Sequence, residues 1–319
     1  MNKQVQEIRS LVNKPLIQSR LIQNTAIWNQ LCSSLDVIED SNLAIKSYPR
    51  LNIRDSSGDC YLVLYGLLQA LFIQQNAVEH LCESLKIRKL TDDYPRLKEI
   101  KGIRNDSSGH PTKRGSKNKP SYHFISRVTL NHAGFKLLST YYAGSNKSDR
   151  VQEVIISDLI KDQRECISKI LDCVAGELKQ REKDHKEKFK VEKLISFLPD
   201  NLNYRFEKVI CVTRVRDGQV IDSTDLVPGQ AGLEAINKSL KKLKNAIAKR
   251  GVNYDVVGDL LELIDYSLSE LEVFLQQELD RVDTRINRKT AFIFAFFVQK
   301  KFEELKEIAK EIDEEYSNY

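Results

Sequence analysis

Five histidines occur in the chain, and His110 is set apart by the residues before it: Ile103-Arg104-Asn105-Asp106-Ser107-Ser108-Gly109-His110-Pro111. An arginine with a polar neighbour and an imidazole, five residues lying between arginine and histidine, are suited to metal-independent cleavage of RNA. An imidazole that titrates near neutrality takes a proton from a ribose 2′-hydroxyl or returns one to the leaving oxygen. A guanidinium stabilises the negative charge spread over the phosphate oxygens. Asn105 can orient either group or hold the ribose. No carboxylate cluster suited to Mg²⁺ is visible in the sequence, which favours this chemistry over a two-metal nuclease. The reading needs neither metal nor cofactor.

Residues 111–127, directly downstream, carry Lys113, Arg114, Lys117, Lys119 and Arg127 with no acidic residue among them. Tyr122 and Phe124 are interleaved, and aromatic rings stack on unpaired bases. Lys113, Arg114, Lys117 and Lys119 are therefore expected to contact RNA. The other histidines offer less. His80 reads as a packed residue of an apolar helix, His185 as solvated within a charged stretch, and His123 and His132 as members of a hairpin. Arg127 and His132 have a related spacing, but Val128 follows the arginine where a polar residue is wanted. Neither the i, i+4 histidine pairing of a zinc site nor the glycine-rich phosphate and nucleophile motifs are present. Six scattered cysteines read as indifferent thiols of a reducing compartment.

Elements must deliver these residues. Apolar spacing predicts a helix from Pro15 to Ile38 and a central apolar helix from Tyr61 to about Leu85, capped by Ser57 or Asp59. A third helix starts at Pro95, with Asp92 or Asp93 as its cap, and ends near Arg104. Continued as an α-helix at about 100° per residue, it would put Arg104 and His110 well apart around the axis. The Ser-Ser-Gly turn is thus expected to redirect the chain. The stretch SYHFISRVTLNHAGFKLLSTYY predicts a β-hairpin around Asn131–Gly134. Helical spacing returns from Val151 to about Leu198. Beyond it, Asp217-Gly218 gives a hairpin signal between segments that could also be helical. Three helices then follow, over Leu233–Ala248, Val256–Val282 and Thr290–Ile312.

Composition is consistent with this. At 41% hydrophobic and 30% charged the chain can bury a core, and 13 Gly and 7 Pro are few for an all-β fold. The net charge of +5 is mild, and no recognition helix with clustered basic residues points to a DNA-binding regulator. The first residues lack the apolar core of a signal peptide, and the longest apolar run, Ala291 to Val298, is too short to span a bilayer. A cytoplasmic protein without membrane attachment is expected. A mostly α architecture results: a helical bundle with an inserted β-hairpin over 1–195 and a C-terminal helical region over 196–319.

Arg104, Asn105 and His110, placed at the end of a bundle helix, resemble the motif of the HEPN superfamily ribonucleases. In that family an arginine followed by a polar residue is separated from a histidine by four to six intervening residues, and here five lie between Arg104 and His110. The resemblance covers roughly residues 15–190 and none of 200–319. It implies a homodimer in which two motif copies form a composite site. It also implies an RNA endonuclease leaving 2′,3′-cyclic phosphate and 5′-hydroxyl ends, and a role as a toxin or antiviral-defence effector restrained by an antitoxin or regulatory partner protein. Thr112 stands where one family variant carries a tyrosine, and the hairpin and C-terminal region exceed the minimal fold. The alternative is a non-catalytic helical module that binds a nucleotide or a protein partner, with Arg104 serving as a helix-end salt-bridge residue.

Overall fold

The computed structural model describes residues 1–52, 58–114, 120–141, 148–214, 223–251, 255–282 and 286–317. The fold is mostly helical, with one small three-stranded antiparallel sheet. Two compact units are present: Met1–Lys14 with Leu21–Lys179, and Pro15–Arg20 with Gln180–Tyr319. The division expected from sequence lay at 195/196.

In the first unit, α1 (Asn2–Val12) buries Val5, Ile8, Leu11 and Val12, an amphipathic face in a segment read from sequence only for targeting. The single helix expected from Pro15 to Ile38 is two: α2 (Pro15–Ile22), whose residues Pro15–Arg20 belong to the second unit, and α3 (Thr25–Ser47) of the first. The break falls at Asn24, whose side chain accepts the Ile27 N–H at 3.2 Å and so satisfies a donor that α3 leaves open. Next, α4 (Gly58–Ser84) is the central apolar helix that its composition predicts, and it packs along α3. Asp59 stands in its first turn; Ser57, the other expected cap, lies outside the described residues.

Against α4 packs α6 (Ile156–Phe189), and three amides join them inside the core. Gln75 Nε2 donates to Gln163 Oε1 at 2.8 Å. Gln163 Nε2 donates in turn to the Leu71 carbonyl at 2.8 Å and to Gln74 Oε1 at 3.1 Å. Buried amides are tolerated because they are paired in this way.

Pro95 opens α5 (Pro95–Arg104) as expected, but the N-cap residue is Tyr94. The two aspartates expected to cap it do other work: Asp93 pairs with Arg88 at 2.6 Å, and Asp92 lies 3.6 Å from Lys89.

The hairpin is part of a larger sheet. Strands β1 (Ser121–Ile125), β2 (Gly134–Tyr141) and β3 (Arg150–Ile155) pair antiparallel in that order. Tyr122 faces Thr140 in the first ladder, and Val154 faces Phe135 in the second. Val151–Ile155, read from its spacing as the start of a helix, is therefore a strand. Pairing with β2 decides its conformation, and α6 begins only at Ile156.

The second unit is helical: α7 (Leu202–Thr213), α8 (Ser223–Arg250), α9 (Asp255–Asp280) and α10 (Arg288–Ser317). Its core includes Phe206, Leu240, Ile264, Phe274 and Phe302. Helices α7 and α8 approach closely, because a Cβ on Gly232 would stand 2.9 Å from the Arg205 carbonyl. The Asp217-Gly218 hairpin signal lies outside the described residues. His185, expected to be solvated, is instead buried. It bonds through Nε2 to the Arg250 carbonyl at 2.9 Å and meets the Tyr316 hydroxyl at 3.4 Å. Among the described residues no helix is long and apolar enough to cross a membrane.

Candidate functional site

The site is built where α5 ends. Instead of breaking after Arg104, the chain winds one wider turn, Asn105–Gly109, with the His110 N–H bonded to the Asn105 carbonyl at 2.7 Å. This single π-turn replaces the Ser-Ser-Gly break expected from sequence. Such turns recur at functional positions of helices. Ser108 Oγ donates back to the Arg104 carbonyl at 3.2 Å, a side-chain bond across the same turn.

Arg104 is half-buried and fixed on three sides. Its Nη2 donates to Gln69 Oε1 at 2.7 Å and its Nη1 to Asn105 Oδ1 at 3.0 Å. The guanidinium carbon lies 4.3 Å from the centre of the Phe72 ring, a cation–π contact. Nε is buried without a partner among the described residues. Gln69 and Phe72 are one turn apart on α4, so that helix provides both the acceptor and the ring. Lys101, one turn before Arg104 on α5, also approaches Phe72, at 5.1 Å. Two cations thus share one aromatic ring.

Gly109 lies close against Arg104 and Asn105. A Cβ there would stand 2.7 Å from Arg104 Nη1 and 3.3 Å from Asn105 Oδ1. The turn therefore closes directly over the guanidinium. At its far end His110 is exposed, and its ring has no hydrogen-bond partner among the described residues. Arg104 and Asn105 are joined by a hydrogen bond, whereas the imidazole faces solvent.

Asp106 serves the loop beyond. It forms an ion pair with Arg114, and its Oδ1 lies 3.4 Å from His123 Nε2. His123 is buried on β1, sharing hydrogen bonds with Ser139 Oγ at 2.8 Å and Ser121 Oγ at 3.0 Å. Burial holds its pKa below the ordinary value of 6.5; Asp106 opposes the shift and Arg114 reinforces it. Backbone bonds complete the anchorage. The His123 N–H donates to the Pro111 carbonyl at 2.8 Å, and Arg114 and Ser121 exchange N–H···O bonds of 2.9 and 2.7 Å. The residue after His110 is thereby tied to the sheet.

Of the four expected RNA-binding cations, Lys113 is exposed and Arg114 is engaged with Asp106. Lys117 and Lys119 lie outside the described residues. Tyr122 and Phe124 alternate outward on β1, at 44% and 51% exposure, while His123 and Ile125 point inward.

The remaining histidines separate clearly. His80 is exposed, not packed as its apolar surroundings implied. His132 stacks on Tyr48, with ring centres 4.8 Å apart and planes within 4°. The Tyr48 hydroxyl donates to the His132 carbonyl, His132 Nε2 donates to the Tyr48 carbonyl, both at 3.1 Å, and burial pushes the Tyr48 pKa up to about 12. His132 is thus a packing residue. Sequence reasoning missed Gln69 and His123. The available signals were a glutamine in the most apolar helix and a histidine on the inward phase of a strand.

No protein-family model, curated protein or solved structure matches the chain.

Proposed function

We propose that the protein is a metal-independent RNA endonuclease of HEPN type, built on a HEPN-like bundle and acting in the cytoplasm. One observation carries the reading: the π-turn Asn105–Gly109 has an immobilised guanidinium at its start and a solvent-facing imidazole at its end. Arg104 stabilises charge on the phosphate, and His110 moves the proton. The 2′-oxygen, losing its proton to an imidazole, attacks phosphorus. The P–O5′ bond breaks, and the departing 5′-oxygen is protonated. The products are a 2′,3′-cyclic phosphate and a 5′-hydroxyl. Two motif copies, one from each protomer of a homodimer, supply base and acid. Asn105 holds Arg104 in place, and Lys113, Lys117 and Lys119 attract the RNA. In the cell such an enzyme acts as a toxin or antiviral-defence effector, restrained by a partner protein.

A second reading has support of its own. The bonds of Arg104 to Gln69 and Asn105, with its stacking on Phe72, are also those of a clamp that closes a helix end in a non-catalytic binding module. RNA cleavage in EDTA by the parent, and its loss in Arg104→Ala and His110→Ala, separates the two.

A further inference from the structure

The turn that carries the motif also forms one wall of a cleft of about 820 Å³. That volume suits a small organic ligand. Two of its other walls are aromatic: Tyr61 and Tyr65 on α4, with ring centres 5.9 Å apart, and Phe124 on β1. Tyr65 is 40% exposed and Phe124 51%, so ring faces are open to a ligand. Arg127 lies at the rim, exposed and without an ion-pair partner among the described residues.

Ser107 is the decisive residue. It lies in the π-turn between Arg104 and His110, is 97% buried and lines the cleft. Its Oγ has no hydrogen-bond partner among the described residues. A buried hydroxyl is expensive to leave unpaired, and an unpaired one calls for an explanation. A ligand group in the cleft provides one.

We propose that this cleft binds one unpaired nucleotide. Its base lies against the Tyr61, Tyr65 and Phe124 rings, its phosphate meets Arg127, and a polar atom of the base or sugar pairs with Ser107 Oγ. Planar rings recognise a base by stacking, a guanidinium recognises a phosphate, and a single hydroxyl adds one directional bond. The choice of ligand class rests on the ribonuclease reading; the cleft, its rings and the unpaired hydroxyl do not. Under that reading the nucleotide belongs to the RNA chain next to the scissile bond, because Ser107 belongs to the same turn as the reacting pair.

Binding tests this apart from cleavage. His110→Ala protein in EDTA is titrated into a labelled ten-nucleotide single-stranded RNA, and separately with AMP. Each titration is repeated with Tyr65→Ala, Phe124→Ala, Arg127→Gln or Ser107→Ala added, and with Tyr204→Ala as an exposed aromatic control in the other unit. Melting temperatures verify folding. Weakening of RNA binding by about 5- to 100-fold in the Tyr65 and Phe124 variants, with Tyr204→Ala unchanged, is the expected result. Ser107→Ala is expected to weaken binding while leaving the melting temperature equal or higher. Weakening of RNA but not AMP binding assigns the site to a chain nucleotide; equal weakening of both assigns it to any nucleotide. Binding within twofold of the parent in all four cleft variants overturns the proposal, as does failure of the parent to bind either ligand. Cleft binding without any RNA cleavage by wild-type protein would instead defeat the ribonuclease reading and leave the cleft standing.

Discussion

Gln69 Oε1 holds Arg104 Nη2 at 2.7 Å, so the motif's cation is fixed by a residue thirty-five positions earlier in the chain. Under the ribonuclease proposal Gln69 acts as a positioning residue, and its neighbour Phe72 completes the seat. Gln69→Leu keeps the volume and removes the acceptor. We expect kcat to fall about tenfold, with KM and the melting temperature little changed, because a misplaced charge costs most in the transition state. Steady-state kinetics on a defined RNA measures it. A proportional loss of stability without a kcat effect would mark Gln69 as structural only.

Gly109→Ala addresses the closure of the turn. The new methyl meets the flexible end of Arg104 at 2.7 Å, not backbone. The side chain can yield, so the stability cost is about 1 kcal/mol, while the guanidinium is displaced from Asn105 and Gln69. Activity is expected to fall far more than stability. Chemical denaturation measured beside RNA cleavage gives both quantities, and equal losses would contradict this account.

The buried His123 makes a prediction about acid. Burial lowers its pKa below 6.5, so the folded protein favours the neutral ring. The unfolded chain binds more protons in that range. Stability attributable to His123 is therefore complete above about pH 6.5 and is lost as pH falls through the folded value, with a slope of at most about 1.4 kcal/mol per pH unit. The groups facing the ring are Asp106, Arg114, Ser121, Ser139 and Tyr141. His123→Gln is expected to flatten the stability profile between pH 7 and 5. An unchanged slope would place the titration elsewhere.

How far the sequence reaches can be judged residue by residue. Long apolar helices were legible because their periodicity is set by their own burial, as in α4. The break at Asn24 was not, because apolar spacing runs on through α2 and α3 while a single side-chain bond caps the start of α3. Val151–Ile155 reads as helix locally and becomes a strand through pairing with β2. His185 lies among charges, yet Glu182, His185 and Phe189 fall on one buried helical face, a phase that the surrounding lysines concealed. At the site, Arg104, Asn105 and His110 were visible as residue types at a spacing. Gln69, Phe72 and His123 were not, because they come from distant elements and carry no local signature.

A further stability test concerns the second unit. Arg250 is 1% exposed, with Nη1 donating to the Ala246 carbonyl at 3.1 Å and Nη2 to that of Glu192. Its guanidinium carbon lies 5.2 Å from the Phe189 ring and 5.5 Å from that of Tyr316. Arg250→Ala removes these bonds and opens a cavity. A loss of roughly 2–4 kcal/mol is expected, with Arg250→Met losing less because it refills the space. Denaturant unfolding checks the order of the two variants, and equal losses would show that filling the space contributes nothing.

The central claim is tested most directly by incubating the protein with labelled single-stranded RNA in EDTA, beside Arg104→Ala and His110→Ala proteins of verified fold. The account predicts cleavage by the parent with 2′,3′-cyclic phosphate ends, and loss of at least a hundredfold in each variant. Cleavage that persists in both variants, or its absence from the parent freed of any bound partner, would contradict it.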